Sequence, residues 1–387
     1  MKMANLIQVR AVAFMAFSLV VSCSKKADLE PVSMKPAVDS KESESTSDKI
    51  TLYSWGDYFS DELRDRFKQE TGIEVVYQVY DASDEMRERI KSNSADYDVV
   101  VMDDLALKRM QRTRLIRKLN KALLPNLVHI DKKHIANDSD SIYSIPYCWG
   151  TTVLAYNKLH VPEPEKSWGL LFRPDMKEHV FLIEERMECM ENLLRYSGYP
   201  PETEDSSHIR EAGNMLLELV SSQKARFGAD ADGKDGLLDG SIWAAMMYNG
   251  DVAQALHQDE SSQIGYLYPE EGTTTWVDNF TVPRDTPKWK EAHAFINFMM
   301  DPVVAAESSI HVQFATANRT AREHLAKLDP ELLKSAVFAE GIGNTLTEGS
   351  PERQKLIHES WGDFEKALLD RDGAVSIEGD GEESDSL

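Results

Sequence analysis

The chain has 387 residues, 42% of them hydrophobic, and carries 43 Lys and Arg against 66 Asp and Glu for a formal net charge of −23. A single core seldom supports that length, so two globular lobes with non-globular ends are predicted. The acidic excess repels phosphate backbones and anionic head groups, which excludes a nucleic-acid partner and favours a cationic one, although solubility of an exported protein also explains acidity.

The first 22 residues carry Lys2 and Arg10 and no acid, followed by the apolar run Ala11 to Val21. That charge order and length predict a signal peptide over 1–22, too short to span a bilayer. Val20-Val21-Ser22-Cys23 resembles the bacterial lipobox, which implies cleavage before Cys23 and lipidation of its thiol. The expected location is the periplasmic or extracellular face of a bacterial membrane. Residues 23–49 hold almost no large apolar side chain beyond that cysteine and read as a flexible tether. Cys148 and Cys189 remain, and their spacing leaves one disulfide or two buried thiols open.

Ile50 to Trp55 is a β-type run. Ser60 is placed as an N-cap, with Asp61 and Glu62 in the first turn, Leu63 and Phe67 on one face and Gly72 as the stop. Ile73 to Tyr80 reads as strand, a helix capped near Ser83 puts Met86 and Ile90 together, and Asp98 to Met102 is a strand buried on both faces. Strand and helix alternation predicts an α/β lobe with a parallel sheet, whose ligands bind at the carboxyl ends of strands. Trp55-Gly56-Asp57-Tyr58 and Asp103-Asp104 occupy two such ends. The style repeats with a strand at Thr152 to Tyr156, helices at Glu188 to Tyr196 and Ser207 to Leu219, and a strand at Trp243 to Met247. Trp289 to Met300 is an amphipathic helix, and 371–387 reads as a disordered acidic tail.

The chain has no Gly-x-Ser-x-Gly elbow, no Gly-x-x-x-x-Gly-Lys loop and no His-Glu-x-x-His, so no catalytic residue, cofactor or metal is expected. Asp230, Asp232, Asp235 and Asp239 miss calcium-loop spacing and read as a solvated turn. What remains is aromatic residues and carboxylates grouped at loop positions: Trp55/Asp57/Tyr58, Glu184/Glu185/Glu188, Tyr248/Asp251 and Trp276/Asp278. An alkyl diamine needs both types, because its methylenes want apolar walls and each ammonium must replace lost water with carboxylates and ring faces.

Leu52 to Tyr58, Glu70 to Ile73, Tyr97 to Val100, Ser144 to Gly150, Tyr248 to Asp251, Pro269 to Gly272 and Trp276 to Asp278 run in an order that resembles the spermidine/putrescine-binding proteins of bacterial polyamine ABC importers. The resemblance spans about Ile50 to Arg322. It implies a type II periplasmic-binding fold, lobe 1 from 50–150 plus 277–322 and lobe 2 from 151–276 plus 323–370, closing on a polyamine that is passed to ABC permease subunits. It also implies that Trp55 and Tyr58 line the cleft near Asp57, that Glu185 and Glu188 form an acidic pair, that Trp276 flanks the ligand stem and that Asp278 meets an ammonium. Tyr248 replaces a usual Trp and Asp251 matches an acid of putrescine-type members. Asp103 replaces a strand-end Ser and Leu105 a nearby Tyr, which leaves the preferred polyamine open. The alternatives are a thiaminase-type enzyme using Cys148, a binder of ferric ion, sugar or quaternary amine on the same fold, and a polyamine sensor that does not transport.

Overall fold

The computed structural model describes residues 49–80, 83–135, 138, 141–259, 261–334, 341 and 343–379. The signal peptide, Cys23 and all of the tether except Lys49 lie outside the described residues.

In chain order the first elements are β1 (Lys49–Ser54), α1 (Asp61–Thr71), β2 (Glu74–Val79), α2 (Ser83–Asn93), β3 (Val99–Met102), α3 (Asp104–Arg112) and β4 (Ser144–Asn157). Then come β5 (Val180–Ile183), α4 (Arg186–Tyr196), α5 (Ser206–Ser221), β6 (Arg226–Gly228), α6 (Asp230–Asp239), β7 (Ala244–Tyr248), α7 (Asn249–Gln258), β8 (Ile264–Leu267) and β9 (Thr273–Thr281). The chain closes with α8 (Trp289–Met299), α9 (Pro302–Val312), β10 (Ala315–Thr316), α10 (Ala321–Leu328), α11 (Pro330–Lys334), β11 (Gly343–Thr345) and α12 (Pro351–Gly379).

Local chemistry sets the first units. Ser60 accepts from the Leu63 amide at 3.3 Å to start α1, Gly72 ends it at φ 76°, and Leu63 and Phe67 are its buried residues. Val99 to Met102 is fully buried, as expected for a central strand. β1 lies parallel between β2 and β3.

Two long strands carry the chain between halves. The sheet runs β2-β1-β3-β9-β4-β7-β5-β6. The first half of β4 pairs antiparallel with β9, from Ser144 opposite Thr281 to Thr151 opposite Thr275. Its second half, Thr152 to Tyr156, pairs with β7 instead. β9 also pairs with β3 through Asn279 to Thr281. One lobe therefore has β1, β2 and β3 packed through Phe59, Phe67, Phe280 and Phe295. The other has β5, β6 and β7 packed through Trp168, Leu193, Leu216 and Trp361. β4 and β9 cross between them.

Two expectations change. Asp230 to Asp239 is helix α6, not a turn: Gly233 and Gly236 let it press on the Phe181 ring and on Ile242, where an added Cβ would lie at 2.5 Å from each. Local polarity hid that contact. Helix α12 continues beyond Arg371 to Gly379, and only 380–387 of the expected tail lie outside the described residues. Cys148 and Cys189 are free and buried. Among the described residues no helix is long and apolar enough to cross a membrane.

Candidate ligand-binding site

Three adjacent parallel strands deliver one wall. Trp55 follows β1, Tyr80 follows β2 and Asp103 follows β3. The Trp55 and Tyr80 rings lie 4.4 Å apart. Asp103 caps α3, accepting from the Leu105 and Ala106 amides at 2.8 Å through Oδ1 and from Ser83 Oγ at 2.6 Å through Oδ2. The next residues after Trp55 make a tight corner in which Asp57 has φ 56° and is exposed. Tyr58 turns back, and its hydroxyl donates to Asp278 Oδ2 at 2.7 Å. The Trp55 side chain is close enough to the same carboxylate to favour its charged form.

The opposite wall comes from the helix starts after β5 and β7. Glu185 stands at the start of α4 with no capping bond, and Glu188 lies in its first turn. Glu188 Oε2 accepts from Thr152 Oγ1 at 2.7 Å and from Thr274 Oγ1. Tyr248 and Asp251 begin α7. Trp276, on β9, meets Tyr248 at 5.5 Å and Phe314 at 4.8 Å, both edge to face. Its indole N–H is buried and has no hydrogen-bond partner among the described residues. Gly150 allows that ring its place, because a Cβ there would lie 2.5 Å from it.

The acids are crowded and poorly compensated. Burial pushes the Asp278 carboxyl up to about 8; the Tyr58 bond opposes this, and the charges of Asp103 and Asp104 add to it. Burial also takes Glu185 to about 8, with Asp103 and Glu188 reinforcing the shift. Glu188 is raised by burial against the pull of its two threonine donors, and Asp251 is carried by burial to about 6 with Lys234 opposing. The charge of Asp103 acts on Asp278, Glu185 and Glu188 alike, so acids from both walls converge. None of Asp278, Glu185 and Glu188 has an ion pair among the described residues. Such a cluster of acids and rings suits a cation: a positive charge would relieve the mutual repulsion, and ring faces would suit its apolar part.

Residues 62–334 match the family of bacterial extracellular solute-binding proteins. The chain belongs to that family. It is 30% identical over 338 residues to the putrescine-binding periplasmic protein SpuD of Pseudomonas aeruginosa, covering 81% of this chain and 90% of that one. It is 29% identical over 320 residues to the spermidine/putrescine-binding periplasmic protein of Escherichia coli, covering 79% and 91%. The solved spermidine/putrescine ABC transporter substrate-binding protein PotD of Streptococcus pneumoniae superposes with a TM-score of 0.71 at 25% identity, covering 83% of this chain and 99% of that one. The fold is thus the two-lobe type of periplasmic binding proteins.

In this solute-binding protein the aromatic and acidic side chains regroup relative to their order in sequence. Asp278 accepts from Tyr58 and lies near Trp55, while Asp57, which falls between those two in the chain, is exposed. Sequence reasoning missed Tyr80, Thr152 and Thr274. Tyr80 was accessible by the rule that picked out Trp55 and Asp103, since it too ends a strand. The two threonines needed the β4–β9 pairing. Cys148 lies opposite Asp278 in that pairing, and burial and the Asp278 charge push its thiol well above its ordinary range. Cavities of about 440 and 390 Å³ open elsewhere, near Phe227 and Asp235 and near Tyr199 and Asn344, and none of the ten expected ligand residues lines either one.

Proposed function

We propose that this solute-binding protein captures a polyamine, putrescine or spermidine, and passes it to the permease subunits of an ABC importer. The observation that carries the reading is the convergence of Asp103, Glu185, Glu188 and Asp278, two of them raised to about 8, beside Trp55, Tyr58 and Trp276. In this reading Asp278 and Glu185 take the ammonium groups, Trp55, Tyr58 and Trp276 cover the methylenes, and Tyr248 with Asp251 bounds the far end. Glu188 and Asp103 hold the field negative, and Asp57 screens the entrance. The names of the Pseudomonas and Escherichia relatives support the same ligand class.

The two lobes are assigned to 50–150 plus 277–322 and to 151–276 plus 323–370, and rotate about β4 and β9. A diamine touching both walls binds the closed arrangement better than the open one, and that difference drives closure. No catalytic step is assigned. A thiol as strongly disfavoured from ionising as Cys148 is a poor nucleophile, which speaks against a thiaminase-type reaction. The lipobox-like segment supports an anchor on Cys23, with the protein held at the outer face of a bacterial membrane.

A thermal-shift and calorimetry panel of putrescine, cadaverine, spermidine, spermine, thiamine, betaine and maltose tests the ligand. A hundredfold excess over Kd adds about 2.7 kcal/mol of stability. A shift with maltose or betaine and none with any diamine overturns the proposal.

A further inference from the structure

The segment joining β11 to α12 is fastened to the second lobe but reaches the first. β11 pairs with Thr273 to Thr275. The Thr347 amide donates to Glu191 of α4 at 2.9 Å, Arg353 donates to the Thr347 and Glu348 carbonyls, and Ser350 bonds Glu204 through its amide and hydroxyl. From this fixed backbone the Glu348 carboxylate, 11% exposed, takes a two-pronged contact from Arg112 at 2.5 Å and a third bond from Arg109 Nε at 3.0 Å. Both arginines are on α3, whose Ala106, Leu107 and Met110 pack with Tyr53, Tyr80 and Met102 of the first lobe.

A second bridge continues the line. Arg186, next to Glu185 on α4, lies 3.4 Å from Asp84 of α2, and Asp84 is also 3.6 Å from Arg109 and 3.0 Å from Arg87. The ion pairs Arg112, Glu348, Arg109, Asp84 and Arg186 thus run from lobe to lobe beside the site, without using its carboxylates.

We propose that this row of ion pairs is a latch that sets the balance between open and closed lobes before any solute arrives, with Glu348 as its principal element. Opening by rotation about β4 and β9 carries α3 away from the fixed 346–350 segment and strips a mostly buried carboxylate of its partners. Exposed pairs contribute little, and Arg112 is itself 61% exposed, but Glu348 and Arg109 are largely covered, and a covered acid is costly to leave without its arginine partners. Arg112 and Arg109 hold the Glu348 carboxyl below its usual range against burial, as the fork requires. Since apparent affinity scales with the closed-competent fraction, weakening the latch lowers affinity for every bound solute by one common factor and leaves selectivity unchanged.

The inference rests on lobe closure as proposed above, and not on which solute binds. The test places spin labels at Lys91→Cys on α2 and Glu218→Cys on α5 in a Cys23→Ser background and measures the distance distribution by double electron–electron resonance without ligand. Glu348→Gln shifts the closed-to-open ratio on the order of tenfold toward open. High salt shifts the wild type the same way and the variant much less. The charge exchange Glu348→Arg with Arg112→Glu restores part of the closed population. A ligand-free distribution unchanged by Glu348→Gln and by salt overturns the latch. If putrescine fails to close either protein, only the ligand assignment falls, because the ligand-free distances already decide the latch.

Discussion

Tyr58 and Asp278 are 220 positions apart in the chain, and the Tyr58 hydroxyl donates to Asp278 Oδ2 across 2.7 Å. That bond supports the charged form of the buried carboxylate, as does the nearby Trp55 side chain. Removing the donor while keeping the ring separates the two roles of Tyr58. Tyr58→Phe is expected to cost about 1.5–3 kcal/mol of putrescine binding, the usual worth of a hydrogen bond to a charged group. Asp278→Asn is expected to cost about 2–5 kcal/mol by loss of a desolvated ion pair. Calorimetry on both variants measures this, and an Asp278→Asn affinity within twofold of wild type removes Asp278 from the ligand site.

Asp278 and Glu185 also make stability depend on pH. Both are raised to about 8, so between the ordinary carboxylate range and pH 8 the folded chain holds protons that the unfolded chain has released. Stability contributed by these groups is therefore present at low pH and lost as pH rises toward 8, the reverse of a salt-bridged acid. Thermal melts of ligand-free protein from pH 5 to 8.5 should show a falling midpoint. A diamine selects the ionised acids, so binding at pH 7 should release about one to two protons and tighten between pH 6 and 8. Calorimetry in buffers of different ionisation enthalpy counts those protons, and a count of zero contradicts the assignment of either acid to an ammonium.

Much of this was legible in the chain because the signals were local. Ser60, Leu63, Phe67 and Gly72 define α1 without reference to anything else, and the apolar run before Asp103 places that acid at a strand end. The family resemblance implied Tyr58, Glu188, Trp276 and Asp278 as ligand residues, and the structure buries Glu188, Trp276 and Asp278. Their partners were not legible. Thr152 and Thr274 meet Glu188 only because β4 and β9 lie side by side, and no spacing in sequence carries that register. Helix α6 was missed for the converse reason: its glycines and aspartates look like a turn until Phe181 and Ile242 press on it.

Gly150 tests how tightly Trp276 is seated. A methyl at that position would lie 2.5 Å from the indole and 2.8 Å from Asn249 Oδ1; the indole cannot retreat without disturbing Tyr248 or Phe314, and Asn249 Oδ1 already accepts from the Thr151 amide. Gly150→Ala should destabilise the protein by about 1–3 kcal/mol, as overpacking does, and weaken diamine binding further by tilting the ring. Urea unfolding and calorimetry read the two effects separately. Unchanged affinity in a destabilised variant would mean that Trp276 supports the fold without touching the ligand.

Cys148 distinguishes a binder from an enzyme. Its thiol is 2% exposed and held well above the ordinary range by burial and by Asp278. Iodoacetamide should modify it slowly in the native protein at pH 7.5, and Cys148→Ser should still bind putrescine. Rapid alkylation accompanied by loss of a bond-cleaving activity on thiamine would reverse the functional reading.

Arg353 and its partner Glu191 have no exposed surface, and Arg353 organises the segment that carries Glu348. Its guanidinium bonds Glu191 at 3.2 Å, the Pro201 and Thr347 carbonyls at 2.7 Å and the Thr203 carbonyl at 3.2 Å. Burial already takes Glu191 to about 7, so loss of Arg353 leaves an acid with little reason to stay ionised. Arg353→Met should cost about 3–5 kcal/mol, the typical penalty for orphaning one member of a buried pair. The double variant Arg353→Met with Glu191→Leu removes the orphan and should recover part of that loss. Urea midpoints at constant slope measure both. A double variant no more stable than the single one would mean that the carbonyl bonds, and not the pairing with Glu191, hold the segment in place.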